Sequence, residues 1–172
     1  SIVEEAQPRL LAFLGGEHDY LDRLPPEFAP TVMPGGKLRG DLARRGVQLS
    51  SIPGPDIAYH YFAMEHPVVG GYEPHKVALR RAIGLATDVD REIRIVRRNQ
   101  AVPAQSSISP GNWGHDPTFK SEMSSFDVAR AKALLDLHGY VDRNGDGWRE
   151  QPDGQPLRLE YATQPDQLSR QT

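Results

Sequence analysis

The sequence predicts an α/β chain: a mixed sheet with helices packed on it, or the same elements in an α+β arrangement. Three observations lead there. Helical spacing of apolar residues recurs in segments bounded by capping residues. Short stretches between them carry apolar groups at alternate positions or on both faces. Fifteen prolines and 16 glycines among 172 residues keep the regular segments short.

Taken in order, Glu4 to Leu14 reads as a helix with Leu10, Leu11 and Leu14 on its buried side and Gly15-Gly16 ending it. Asp19-Tyr20-Leu21 has room only for a short strand. Pro25, Pro26, Pro30 and Pro34-Gly35-Gly36 then exclude long regular structure. Leu38 to Arg45 reads as a short helix closed by Gly46, with Arg44 and Arg45 suited to its C-terminal dipole. Val47 to Ile52 is a candidate strand, and Pro53-Gly54-Pro55 a turn. Ile57 to Met64 is the strongest strand signal. Ile57, Tyr59 and Tyr61 share one face, and Ala58, Phe62 and Met64 the other, which predicts a strand covered on both sides.

The second half is more sharply marked. Val77 to Ala86 reads as a buried helix. Asp88 is placed to cap the next, in which Val89, Ile93 and Val96 keep helical spacing while Arg91, Arg94, Arg97 and Arg98 lie mostly off that face. Residues 99–117 hold three prolines and two glycines and are expected to form a long irregular loop. Asp127 is the expected cap of a further helix, with Ala131, Leu134 and Leu135 inward and Gly139 as its stop. Pro156 to Ala162 alternates, with Leu157, Leu159 and Tyr161 on one face of a half-buried strand.

Composition excludes several classes of function. The formal net charge is −3, too small for a global field that attracts nucleic acid or anionic membrane. With no cysteine there are no disulfides, thiolate chemistry or Cys-based zinc sites, and the compartment stays open. No apolar run is long enough to span a bilayer, and Ser1-Ile2-Val3-Glu4-Glu5 lacks the basic start and apolar stretch of a signal peptide. The six histidines include no pair at i, i+4. No Gly-x-Ser-x-Gly elbow occurs, and Gly35-Gly36-Lys37 lacks the spacing of a phosphate-binding loop.

Three features merit weighing for chemistry. The loop from Ser106 to His115 combines Trp113 with small residues, hydroxyls and amides. Trp113, Asn112 and Ser109 suit peptide recognition: an apolar wall plus hydrogen bonds to backbone. Equally, Trp113 could plug the core beneath the loop. Asp142-x-Asn144-x-Asp146-Gly147 starts like a calcium loop, with Asp142, Asn144 and Asp146 as candidate metal ligands. Position twelve is Asp153 rather than Glu, and Gln151-Pro152 disfavours an exit helix, so a polar turn is the preferred reading. From Lys76 to Arg98, seven basic residues face three acidic ones. They are spread over two helices without aromatic residues among them, which fits a solvated face better than a nucleic-acid-binding one.

The order of four segments carries a resemblance. Lys76-Val77-Ala78-Leu79-Arg80-Arg81-Ala82-Ile83-Gly84-Leu85 and the segment to Glu92 come first. The Pro-punctuated loop from Ala101 to Pro117 follows. Asp127 to Leu135 then leads into His138-Gly139-Tyr140, and Asp142 to Gly147 precedes Asp153-Gly154 and a candidate strand. This order is similar to that of the oligopeptide/dipeptide-type solute-binding proteins of bacterial ABC importers, the family 5 extracellular solute-binding proteins.

The resemblance implies that residues 1–172 are a single lobe, part of the C-terminal-side lobe of a longer two-lobed chain with a type II periplasmic-binding-protein-like fold. It implies the periplasm as location, or an extracytoplasmic position associated with the membrane through the transporter, and a peptide or other small solute as ligand. The implied partners are membrane permease subunits and the remaining lobe, with no nucleic acid, no cofactor and no enzymatic step. It also implies that the loop at 99–117 runs toward the ligand cleft, and that Arg80 makes a structural ion pair or hydrogen bond within the lobe. One departure is that Phe62 is followed by Ala63 where the family pattern has Asn. The competing classes are a calcium-binding module resting on the acidic turn and a nucleic-acid-binding module resting on the arginines.

Overall fold

The computed structural model describes residues 5–122 and 124–163, and groups the chain into two compact units. One comprises residues 1–52 and 93–102; the other comprises 53–92 and 103–172.

In the first unit, α1 (Ala6–Gly15) ends on Gly16, whose φ of 83° is left-handed and cheap only for glycine. The Gly16 N–H donates to Phe13 O and that of Glu17 to Ala12 O, satisfying carbonyls the helix leaves open. A 3-10 turn (Pro26–Phe28) leads into α2 (Ala29–Val32), and a second (Pro34–Gly36) precedes α3 (Gly40–Arg44). Gly46 closes α3 with φ 84°. Leu10, Val32 and Leu42 form the buried cluster, flanked by Leu14, Leu21, Leu24, Phe28, Leu38 and Val47. Leu11, expected inward, is 59% exposed. It sits about 100° around the helix from Leu10, whereas Leu14 is one turn above Leu10 on the same side.

In the second unit, α4 (Pro74–Ala86) begins a turn earlier than the expected Val77, because Pro74 fits the first helical position, where its missing N–H costs nothing. Next, α5 (Val89–Ile95), of which residues 89–92 belong to this unit and 93–95 to the first, is capped as expected: Asp88 Oδ1 accepts the Arg91 N–H at 2.8 Å. The helix α6 (Val128–Leu137) is capped by Asp127, which accepts from Arg130 N at 2.8 Å, and is stopped by Gly139 at φ 82°. α4 and α6 pack together through Ala82, Leu85 and Ala131, with Leu134 and Leu135 against them. The Asp127 N–H also donates to Leu85 O at 2.8 Å, tying the start of α6 to the end of α4.

The expected α/β architecture is not formed, in either its mixed-sheet or its α+β version. Among the described residues the elements are helical, and the only β pairing is an isolated antiparallel bridge between Glu150 and Pro156. Asp19 to Leu21, Val47 to Ile52, Ile57 to Met64 and Leu157 to Ala162 are all irregular. Alternation marks a segment able to bury a face, but it supplies no neighbour. Strand N–H and C=O groups need a continuous ladder with a partner backbone, and among the described residues these segments form none; Leu157 N–H makes a single bond to Arg149 O beside the isolated bridge. The expected two-sided burial of Ile57 to Met64 fails in the same way: Tyr59 and Tyr61 are 75% and 83% exposed. The part of the α1 expectation that rests on Glu4 lies outside the described residues.

Candidate functional site

The 106–117 loop is closed by its own short side chains. Ser106 Oγ accepts from Ile108 N at 3.1 Å and lies 3.2 Å from Ile108 O. Ser109 is buried, and its hydroxyl donates to Pro55 O at 3.1 Å while accepting from Asn112 Nδ2 at 2.5 Å. His115 folds back, its Nδ1 lying 2.9 Å from Ile108 O. Gly111 and Gly114 take φ of 84° and 87°, the two left-handed positions at which the loop reverses. Asp116 accepts from both the hydroxyl and the backbone N–H of Thr118, and these bonds, the hydroxyl first, hold its carboxyl below the usual carboxylate range.

Trp113 lies between those two glycines and is fully exposed, at 102%. A core plug would be buried, so that alternative is corrected. Ser109 and Asn112 are engaged with each other and with Pro55, and act as braces beneath the turn that carries the indole. The three residues singled out from the sequence are therefore neighbours, but of two kinds: two that set the loop's shape and one that faces solvent.

Arg80 and Arg149 tie backbone turns to α4 and α6. Arg80 Nη1 donates to Val69 O at 2.6 Å and to Gly71 O at 2.9 Å, the hydrogen bond within the unit that the resemblance implied. Beside it Gly70 is buried. A Cβ there would lie 2.3 Å from Met64 O, so the backbone itself excludes any larger residue. Arg149 pairs with Asp136 at 2.5 Å and donates to Tyr140 O. Tyr140 is buried, and burial, followed by the charge of Asp153, pushes its hydroxyl pKa up.

The acidic turn is built as a turn. Asp142 accepts from Gly147 N at 2.8 Å and from Gly145 N at 2.7 Å; the Gly147 bond contributes most to holding its carboxyl below the usual range. Asn144 Oδ1 accepts from Asp146 N at 2.9 Å, and Asp146 Oδ1 from Trp148 N at 2.8 Å. The acidic groups that come together are Asp142, Asp146 and Glu150, with ligand oxygens within 4.8 Å of one another. Glu150 takes the Arg143 N–H at 2.7 Å. Each of these side chains thus has an oxygen committed to backbone N–H groups. Sequence reading missed Glu150 because no motif spacing links it to Asp142. The chain folding back, with Glu150 N donating to Val141 O at 3.0 Å, brings it in.

Among the described residues, two shallow cavities lie in the second unit. One of about 240 Å³ is lined by Pro74, Val77, Ala78, Arg81, Leu134 and His138. The other, about 160 Å³, is lined mainly by Val89, Asp90, Pro103, Gln105, Ser124 and Phe126. Both are smaller than the roughly 300–1,000 Å³ of ordinary ligand pockets. Among the described residues no helix is long and apolar enough to cross a membrane.

Comparison with known proteins places the chain. No curated protein matches it. A solved structure is similar over a part: the periplasmic oligopeptide-binding protein of an oligopeptide ABC transporter from Thermotoga maritima. It is 28% identical, with a TM-score of 0.42 over 54% of this chain and 18% of that one. The match thus spans under a fifth of that protein's length. The family model described as "Bacterial extracellular solute-binding proteins, family 5 Middle" matches residues 1–172, the whole of the sequence. The chain belongs to the family 5 bacterial extracellular solute-binding proteins.

Proposed function

We propose that this chain is part of one lobe of an extracytoplasmic solute-binding protein that delivers peptides to an ABC importer. The observation that carries the reading is the family match over residues 1–172. The function is binding without bond chemistry. A solute enters between two lobes, hinge closure buries it, and the closed form docks on membrane permease subunits.

On this lobe Trp113 supplies an apolar wall, and Ser109 and Asn112 hold the loop that presents it. A rigid indole beside hydroxyl and amide groups suits a ligand recognised by its backbone, which tolerates many side chains. The small size of both cavities is consistent with a site that needs a second wall.

Calorimetric titration with a pool of short peptides tests the reading, comparing this chain alone with the two-lobed protein that carries it. The two-lobed protein is expected to bind and the chain alone to bind poorly, since half the contacts and the exclusion of water are missing. Tight binding by the chain alone refutes the single-lobe assignment. Failure of both to bind any peptide refutes the choice of peptide as the solute.

A further inference from the structure

Asn144 is followed by Gly145, the single Asn-Gly step among the three asparagines of the sequence. Such a step is chemically labile. The backbone nitrogen of the following residue attacks the side-chain Cγ of Asn, a C–N bond forms, and ammonia leaves. Water then opens the five-membered imide to aspartate or isoaspartate. Glycine favours this because no Cβ obstructs the close approach. The site is exposed, and Gly145 adopts φ 78°.

The hydrogen bonds around it act in opposite directions. Asn144 Oδ1 accepts from Asp146 N at 2.9 Å, which polarises the side-chain carbonyl toward attack. The attacking nitrogen is restrained: Gly145 N–H donates to Asp142 Oδ1 at 2.7 Å. Before it attacks, that nitrogen must shed its proton, and an adjacent carboxylate opposes the resulting anion. The leaving amide is held as well, with Asn144 Nδ2 donating to Asp146 Oδ2 at 3.1 Å. Asp142 is itself fixed by a second bond, from Gly147 N at 2.8 Å, so its hold on Gly145 does not depend on a free side chain.

We propose that Asn144-Gly145 is a deamidation site kept dormant by Asp142, which ties down the attacking nitrogen while the turn is closed. Reaction then requires the turn to open locally. The product would add a carboxylate beside Asp142, Asp146 and Glu150, whose oxygens already lie within 4.8 Å of one another. Like charges at that spacing oppose reclosure, so the modified turn stays open.

Peptide mapping by mass spectrometry at mildly alkaline pH, following conversion of Asn144 with time, tests this. The folded chain is compared with a short synthetic peptide of residues 142–148 and with Asp142→Ala. The folded chain is expected to deamidate at least about tenfold more slowly than the peptide, since only the locally opened fraction reacts. Asp142→Ala should recover most of that difference while circular dichroism shows the helices retained. Equal rates in the folded chain and the peptide would overturn the proposal, whether or not the variant folds. A folded Asp142→Ala that reacts at the wild-type rate would overturn Asp142 as the restraint.

Discussion

The α4–α6 pair and the 106–117 loop belong to the same compact unit and use their largest apolar groups in opposite ways. The pair buries those at its centre: Leu85 is 0% exposed and is packed with Ala82 and Ala131, while Leu137 at the end of α6 stays outside. The loop spends its hydrogen-bonding side chains on its own shape and leaves Trp113 outside. Burial and exposure of apolar groups thus fall on different stretches of chain, and on the proposed function the first serves stability and the second recognition. The difference should appear as stability losses that fall steeply from the pair to the loop.

The largest loss is expected at the centre of the pair. Leu85→Ala removes a fully buried side chain and leaves a cavity, so thermal or denaturant unfolding should show a loss of about 2–5 kcal/mol. A loss near zero would mean that the pair is not the unit's core. Arg80→Met keeps the length of the stem but removes the donor to the Val69 and Gly71 carbonyls. The expected cost is about 1–3 kcal/mol, since those acceptors are then left to find water. An unchanged melting temperature would show that the carbonyls are already hydrated. Asp127→Ala removes only the α6 cap, leaving the backbone bond to Leu85 O. About 1 kcal/mol is expected, measured by denaturant titration. A loss as large as that of Leu85→Ala would mean that the helix start, rather than its buried face, holds the pair together.

What the sequence makes legible follows the same division. Caps and stops act within a few residues, so Asp88, Asp127, Gly46 and Gly139 all announce their roles by type and position, and the structure agrees. The inward residues of α6 are also legible, because helical spacing is local. The sheet is not. Ile57 to Met64 has the right alternation, but a strand depends on a neighbour that its own residues cannot specify. Trp113 falls between these cases. The residue types of the loop mark it as unusual, while the loop that carries the indole is anchored by Ser109 reaching Pro55, 54 positions away. Glu150 enters the acidic group through the same kind of long return, and no local pattern marks it.

On the proposed function Trp113 serves a ligand and contributes little to the fold. The most direct measurement pairs the melting temperature of Trp113→Ala with its peptide affinity in the two-lobed protein. A stability change within about 0.5 kcal/mol is expected, as for an exposed side chain, together with clearly weakened peptide binding. A stability loss of about 3–5 kcal/mol, the size expected for a buried tryptophan, or full retention of peptide affinity, would contradict it.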